Sequence, residues 1–164
     1  MQKVPGFTPQ FKKIAKTESK VRDLITRART PLGEKNTNVV YNIPCKCGEY
    51  GYTGETARKW ATRKKEHQDK VRLTKEDIEA GNLDRAAARM NEGDGGLAKH
   101  AVMCTEEIGW EHARIVAKEQ KWSQRKLLEG IETLRQKNEG KIPLNSYNQL
   151  EQWQSVIYPF FELS

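Results

Sequence analysis

The stretch from Val39 to His67, VVYNIPCKCGEYGYTGETARKWATRKKEH, constrains this chain more than any other. Val39 to Ile43 is β-branched and alternating, Pro44 to Glu49 is turn-rich, and Tyr50 to Gly54 is a second short extended run. Runs of that kind around a turn predict a β-hairpin, with Tyr41 and Tyr52 on neighbouring antiparallel strands. Thr56 is a residue type that caps helices, and a helix is expected from near Ala57. Trp60, Arg63 and His67 then recur at three and four residues, the spacing of one helical face. That face can lie on the hairpin and bring Tyr41, Tyr52, Arg63 and His67 within reach of one another.

The remaining segments are read around this unit. Residues 1–36 read as a basic arm, expected either to dock on the core as a terminal helix or to lie along a nucleic-acid backbone: Phe7, Phe11 and Ile14 are spaced for a helical stripe after Pro9, and Val21, Leu24 and Ile25 for a second patch among Lys20, Arg22, Arg27 and Arg29. Thr30 to Asn38, with Pro31 and Gly33, reads as a linker. Residues 68–96 read as an insertion: a capping pattern at Thr74 to Ala80, an Ala- and Arg-rich helix from Leu83 to Met90, and a Gly-rich loop from Asn91 to Gly96. A short helix, Leu97 to Met103, and a third strand, Glu111 to Ala117 with β-branched Ile115 and Val116, follow. Lys121 to Lys137 is the longest predicted helix, with Trp122, Leu127, Leu128, Ile131 and Leu134 as its buried stripe and Glu129 on the flank. Residues 151–164, which include VIYPFFEL, read as an apolar strap over the core. The expected fold is α/β, of α+β type: a small, mostly antiparallel three-stranded sheet flanked by helices.

At 164 residues the chain suffices for one domain around a single core. Hydrophobic residues at 36% against 31% charged predict long helices with solvated faces. The 29 Lys and Arg outweigh 22 Asp and Glu, giving +7 and a pI near 9.3, with the excess concentrated in residues 12–30 and 58–72. Clustered positive charge suits a polyanionic partner, because each phosphate neutralised releases counterions. No apolar run could span a bilayer and no basic leader precedes an apolar segment, so the expected protein is intracellular, not secreted, and nuclear in a eukaryotic cell. An odd count of three cysteines fits a reduced setting and directs attention to metal binding before disulfides.

Cys45 and Cys47 lie in the hairpin turn, while His100 and Cys104 are one helical turn apart. Together they would make a tetrahedral zinc set, structural because four protein ligands leave no position for water. The same residues also read as free buried cysteines beside a helix histidine.

Tyr41 with Ile43, then Tyr52-Thr53-Gly54 beginning eleven residues later, then Arg63-x-x-x-His67, resembles the GIY-YIG endonucleases. The nearest likeness is to the nuclease domain at the C-terminus of Penelope-like retroelements, in which a VVYxIPC strand, a cysteine turn and a YxGET segment follow in this order. Further matches are Leu97-Ala98-Lys99-His100-Ala101, Ile108-x-Trp110-x-x-Ala113, Arg125-Lys126-x-Leu128-Glu129 and Leu144-Asn145, so the likeness covers roughly residues 20–150 and implies a nuclease domain over 37–150. Val39 stands where the family name has Gly and Thr53 where it has Ile; both are backbone or packing positions. A cysteine pair and a histidine pair also accompany the first strands of those domains, where this chain has C-x-C and Cys104.

The resemblance implies roles. Cutting a phosphodiester requires an activated water, neutralised phosphate charge and a stabilised departing oxyanion. Tyr41 would orient or deprotonate the water, with Tyr52 as its partner at the phosphate, and the high pKa of a phenol requires positive charge nearby. Arg63 would grip two phosphate oxygens, and His67 would accept or relay a proton. Glu129 would hold Mg²⁺ or Mn²⁺, and Asn145 would hydrogen-bond around the site. By spacing alone Glu129 reads as a surface residue paired with Arg125. Arg58, Lys64, Lys65 and Arg125 are the candidate contacts to the nucleic-acid backbone. The implied function is metal-dependent nicking or cleavage of DNA of retroelement type, opening target DNA, with an associated reverse transcriptase or RNA as further partners. The alternatives are a repair or homing nuclease of the same family, and a non-catalytic zinc-containing nucleic-acid-binding module.

Overall fold

The hairpin forms because both of its runs can be buried on alternate faces. In the computed structural model, which describes residues 30–145, strand β2 (Val39–Pro44) pairs antiparallel with β3 (Tyr50–Thr56), Tyr41 opposite Gly54 and Ile43 opposite Tyr52. Gly48 takes a left-handed backbone (φ +82°) in the connecting turn. Strand β4 (Arg114–Lys118) adds to the other side of β2. A bulge at Val116 turns Ile115 and Ala117 to opposite faces, so Ile115 packs beside Tyr41 and Ala117 beside Val40.

These are the three expected antiparallel strands, the third beginning at Arg114 rather than Glu111 because residues 110–112 form a 3₁₀ turn. Two further two-residue strands extend the sheet to the order β1-β4-β2-β3-β5: β1 (Thr30–Pro31) on β4 and β5 (Ile142–Pro143) parallel to β3. Residues 30–38, expected as a linker, are thus partly sheet. Segment 30–38 also supplies the carbonyls of Glu34 and Asn36 to the amides of Ala61 and Trp60.

Those two bonds occupy orphan amides at the start of helix α1 (Trp60–Glu79), which begins three residues later than expected. Thr56 does not cap it; its hydroxyl accepts from the Arg58 amide at 3.0 Å and closes a turn. The helix also runs straight through Thr74, where a new start was expected. Trp60, His67 and Thr74 recur every seven residues on its buried face, and the Thr74 hydroxyl donates to the Lys70 carbonyl at 2.7 Å. Burial on that face, together with continued backbone bonding, outweighs a local capping preference.

Helix α2 (Leu83–Asn91) and helix α3 (Gly96–Met103) fold back on α1, and a 3₁₀ turn (Trp110–His112) precedes β4. One core cluster joins Val39, Tyr41, Ile43 and Tyr52 to Trp60, Leu97 and Ile108 on the α1 side of the sheet. Helix α4 (Trp122–Asn138) covers the other face, with Leu128 packed on Val40 and Ala117. Leu128, Ile131 and Leu134 are buried as expected; Trp122, at the helix start, is 64% exposed. The proposed stripe and strap of residues 1–29 and 151–164 lie outside the described residues. Among the described residues no helix is long and apolar enough to cross a membrane.

Candidate active site and metal cluster

Pairing along the outer edge of β3 stops at Gly51, so groups from both faces of the sheet meet around Tyr52 to Thr56. Asn145 occupies part of that edge: its side-chain oxygen accepts from the Thr53 amide at 3.0 Å and its NH₂ donates to the Thr53 carbonyl at 2.6 Å. A small side chain would not span this gap. The result is a cleft of about 280 Å³ lined by Tyr52 and Glu55 of β3, Arg63 of α1, Gly93 and Asp94, Lys126 and Glu129 of α4, and Asn145.

Tyr41 and His67 lie buried behind Arg63. The Tyr41 hydroxyl is 2.7 Å from His67 Nε2, and Arg63 Nε donates to the same hydroxyl oxygen at 3.2 Å. With that oxygen accepting from arginine, its own proton points to Nε2, which places the proton of the neutral imidazole on Nδ1. Burial first, then Arg63, holds the His67 pKa down to about 3, against the opposing pull of Asp94 and Glu66. Burial pushes Tyr41 well above the ordinary phenol range, partly offset by Arg63. Tyr52 is raised by burial and by Tyr41. Tyr52 sits edge-on to His67, ring centroids 5.1 Å apart, and Gly54 leaves room for both phenols because a Cβ there would lie 2.5 Å from the Tyr41 hydroxyl.

Glu129 points inward and is only 6% exposed. Its partner is not Arg125 but Lys126, at 2.8 Å, and the same ammonium lies 3.9 Å from Glu55. Burial raises the Glu129 carboxyl, Lys126 lowers it, and Glu55 raises it again. Arg125 needs correcting as a nucleic-acid contact. It is buried, with Nε on Glu55 at 2.8 Å and Nη1 donating to the carbonyls of Glu119 and Gln120, so its fork is already filled by the fold. Lys65 is exposed, whereas Arg58 pairs with Glu66 and Lys64 with Glu111 at the surface. An exposed pair such as Arg58–Glu66 is worth little to stability.

Tyr52, Arg63, Glu129 and Asn145 therefore meet on one cleft, with Tyr41 and His67 joined to it through Arg63. Sequence reasoning missed Asp94, Glu55 and Lys126. Asp94 accepts from Arg63 Nη2 at 2.7 Å and from Lys70 at 2.5 Å. Its signal was an acidic residue set in Gly93-Asp94-Gly95-Gly96, where Gly93 has φ +49° and a Cβ on Gly96 would collide with the Leu144 carbonyl. Only backbone without side chains lets that loop approach β5 so closely.

The second cluster lies at the hairpin turn. One ligand atom from each of Cys45, Cys47, His100 and Cys104 falls within 4.8 Å of the others, so the four could hold a metal ion. The Cys45 and Cys104 sulfurs are 3.9 Å apart, as are the Cys47 sulfur and His100 Nε2. Tetrahedral zinc with Zn–S bonds of about 2.3 Å spaces its sulfurs by about 3.8 Å, close to the Cys45–Cys104 separation. Burial pushes the Cys45 thiol up to about 12, and burial lowers the His100 pKa, keeping the imidazole neutral and able to ligate. Tyr50 stacks on His100 with centroids 4.4 Å apart.

Comparison of the chain with protein-family models, curated proteins and solved structures gave no match.

Proposed function

We propose that this protein is a metal-dependent DNA endonuclease of the GIY-YIG kind, allied to those of Penelope-like retroelements, with a structural zinc at the hairpin turn. What supports it most is a convergence: Tyr52, Arg63, Glu129 and Asn145 come from four separate parts of the chain to one cleft, with a hydrogen-bonded Tyr41–His67 pair behind it.

Glu129 suits Mg²⁺, which takes few carboxylates and keeps several waters. An ammonium, Lys126, already rests against that carboxylate, so the position accepts a cation. When bound, the metal would neutralise charge on the departing oxygen. Arg63, which lines the cleft with Nη1 on Glu66 and Nη2 on Asp94, exchanges a carboxylate for a phosphate oxygen on its planar fork, a geometry an ammonium cannot reproduce. Tyr41 Oη takes the proton of the attacking water as it passes its own to His67 Nε2, and Asn145 keeps the β3 edge in place. The four-residue cluster, taken as zinc, pins the turn to α3 and leaves no ligand position for substrate.

The test is plasmid relaxation with Mg²⁺ against chelator, using wild type, Arg63→Ala and Glu129→Ala. Removing one transition-state contact slows turnover by about 10²-fold or more, while DNA affinity is largely kept. Parent-like cutting by either variant defeats the role assignment. Binding without cutting by the wild type, unchanged in Glu129→Ala, supports the non-catalytic zinc module instead. A mapped preference for branched or damaged DNA, or for a fixed sequence, assigns the enzyme to repair or homing.

A further inference from the structure

Asp94 is not explained by any role given so far. One of its carboxylate oxygens, Oδ2, takes the Arg63 Nη2 bond at 2.7 Å and lies 3.4 Å from His67 Nδ1. Nδ1 is fully buried and has no hydrogen-bond partner. A buried imidazole N–H left unbonded is costly, and here the Asp94 carboxylate, aligned on Arg63 and Lys70, lies at 3.4 Å from Nδ1 without the geometry of a bond to it. The carboxylate stands on Arg63 where an anionic phosphate oxygen would stand, because both offer the same charge and hydrogen-bond geometry to the guanidinium.

We infer that Asp94 is a positioning residue that exchanges partners: a DNA phosphate takes Arg63 from it, and the freed carboxylate oxygen then accepts the His67 Nδ1–H bond. The inference rests on the nuclease reading of the cleft. In the resting arrangement the Tyr41–His67 pair holds its proton on tyrosine, since Arg63 and Lys70 press against any charge on the imidazole. Once Asp94 bonds Nδ1, the imidazolium is supported at one nitrogen while the other receives the Tyr41 proton. The proton on the attacking water moves to Tyr41 Oη as that on Tyr41 moves to His67 Nε2. The water oxygen bonds phosphorus, the bridging P–O bond breaks with its electron pair, and the departing oxygen takes a proton from solvent. The charged or titratable groups facing His67 are Arg63, Glu66 and Lys70 on α1, Asp94 on the loop, and Tyr41 and Tyr52 on the hairpin.

Asp94→Asn keeps the shape and removes the charge. Binding of a labelled duplex is measured in chelator, cutting in Mg²⁺, and His67 ring-nitrogen NMR shifts with and without the duplex. The variant is expected to bind duplex tighter, because the Nη2 side of Arg63 loses its carboxylate while Nη1 stays on Glu66 at 3.0 Å, yet to cut about 10²-fold more slowly. In wild type, duplex binding moves the Nδ1–H signal towards that of a charge-assisted bond; in Asp94→Asn it does not. Duplex binding by wild type that leaves the Nδ1–H signal unmoved overturns the exchange while leaving the nuclease reading intact. So does a parallel loss of binding, cutting and melting temperature in the variant, which marks a structural brace. Wild type that neither binds nor cuts duplex removes both.

Discussion

His67 makes the protein's stability depend on pH in a way that can be measured without any substrate. Its pKa falls from an ordinary 6.5 to about 3 because the ring is buried and faces Arg63. The unfolded chain takes up a proton below 6.5 that the folded protein refuses, so stability is full above that pH and falls as the solution is acidified towards 3. Each pH unit in the window costs about 1.36 kcal/mol, so lowering the pH from 6.5 to 5.0 removes about 2 kcal/mol. That is a large share of the stability of an ordinary domain. The carboxyls do not mimic it in this range. Asp94 and Glu66, whose carboxyls are held low by their cationic partners against the effect of burial, lose their contribution only at more acid pH. Glu129, raised by burial, has the opposite sign and gains as the pH falls. His100, also lowered by burial, contributes a slope common to wild type and variant. The assay is urea unfolding of wild type and His67→Gln at pH 7.5 and 5.0, since glutamine can still accept from Tyr41. Wild type is expected to lose about 2 kcal/mol more than the variant between the two pH values. Equal losses would show that His67 is not held neutral in a dry pocket, and would remove the electrostatic basis for a Tyr41 to His67 proton path.

Two more outcomes follow from the packing and the metal cluster. Gly54→Ala places a Cβ 2.5 Å from the Tyr41 hydroxyl and 2.8 Å from the Tyr52 ring. It should cost about 1–3 kcal/mol by overpacking and about 10²-fold in cutting, by moving both phenols; wild-type cutting by this variant refutes the placement of the two rings. Wild-type protein should contain equimolar zinc by metal analysis. Stripping it should cost about 3 kcal/mol, a fall in melting temperature of about 6–12 °C. Cys45→Ser should lack the metal and melt at the same temperature with or without chelator, and a metal-free wild type that melts normally counts against zinc.

Several elements were legible in the sequence because they depend on neighbours only a few residues away. The β2–β3 register places Tyr41 and Tyr52 on one face of adjacent strands, and this follows from alternation and a short turn. Arg63 and His67 meet Tyr41 because positions four apart share a helical face. Each half of the Cys45, Cys47, His100 and Cys104 set was legible for the same reason, two residues within a turn and two on one helical turn, while the packing of α3 against the hairpin turn brought the halves together. Helix starts fared worse. The α1 amides bond to carbonyls of Glu34 and Asn36, more than twenty residues away, which no capping motif encodes.

What only the tertiary structure decided is how charges were distributed once water was excluded. Arg125 and Lys126 are adjacent and alike in sequence, yet one is locked into Glu55 and backbone carbonyls while the other faces Glu129 in the cleft. Asp94 looks like a loop residue until the approach of Gly96 to Leu144 brings its loop against α1. Glu129 by spacing belongs at the surface, and it turns inward because β3 ends its outer pairing at Gly51 and leaves a gap that α4 overlooks. Sequence periodicity reports which side of an element is buried. The partner met on that side is set by packing between distant segments, and the strength of each charge depends on how much solvent that packing leaves.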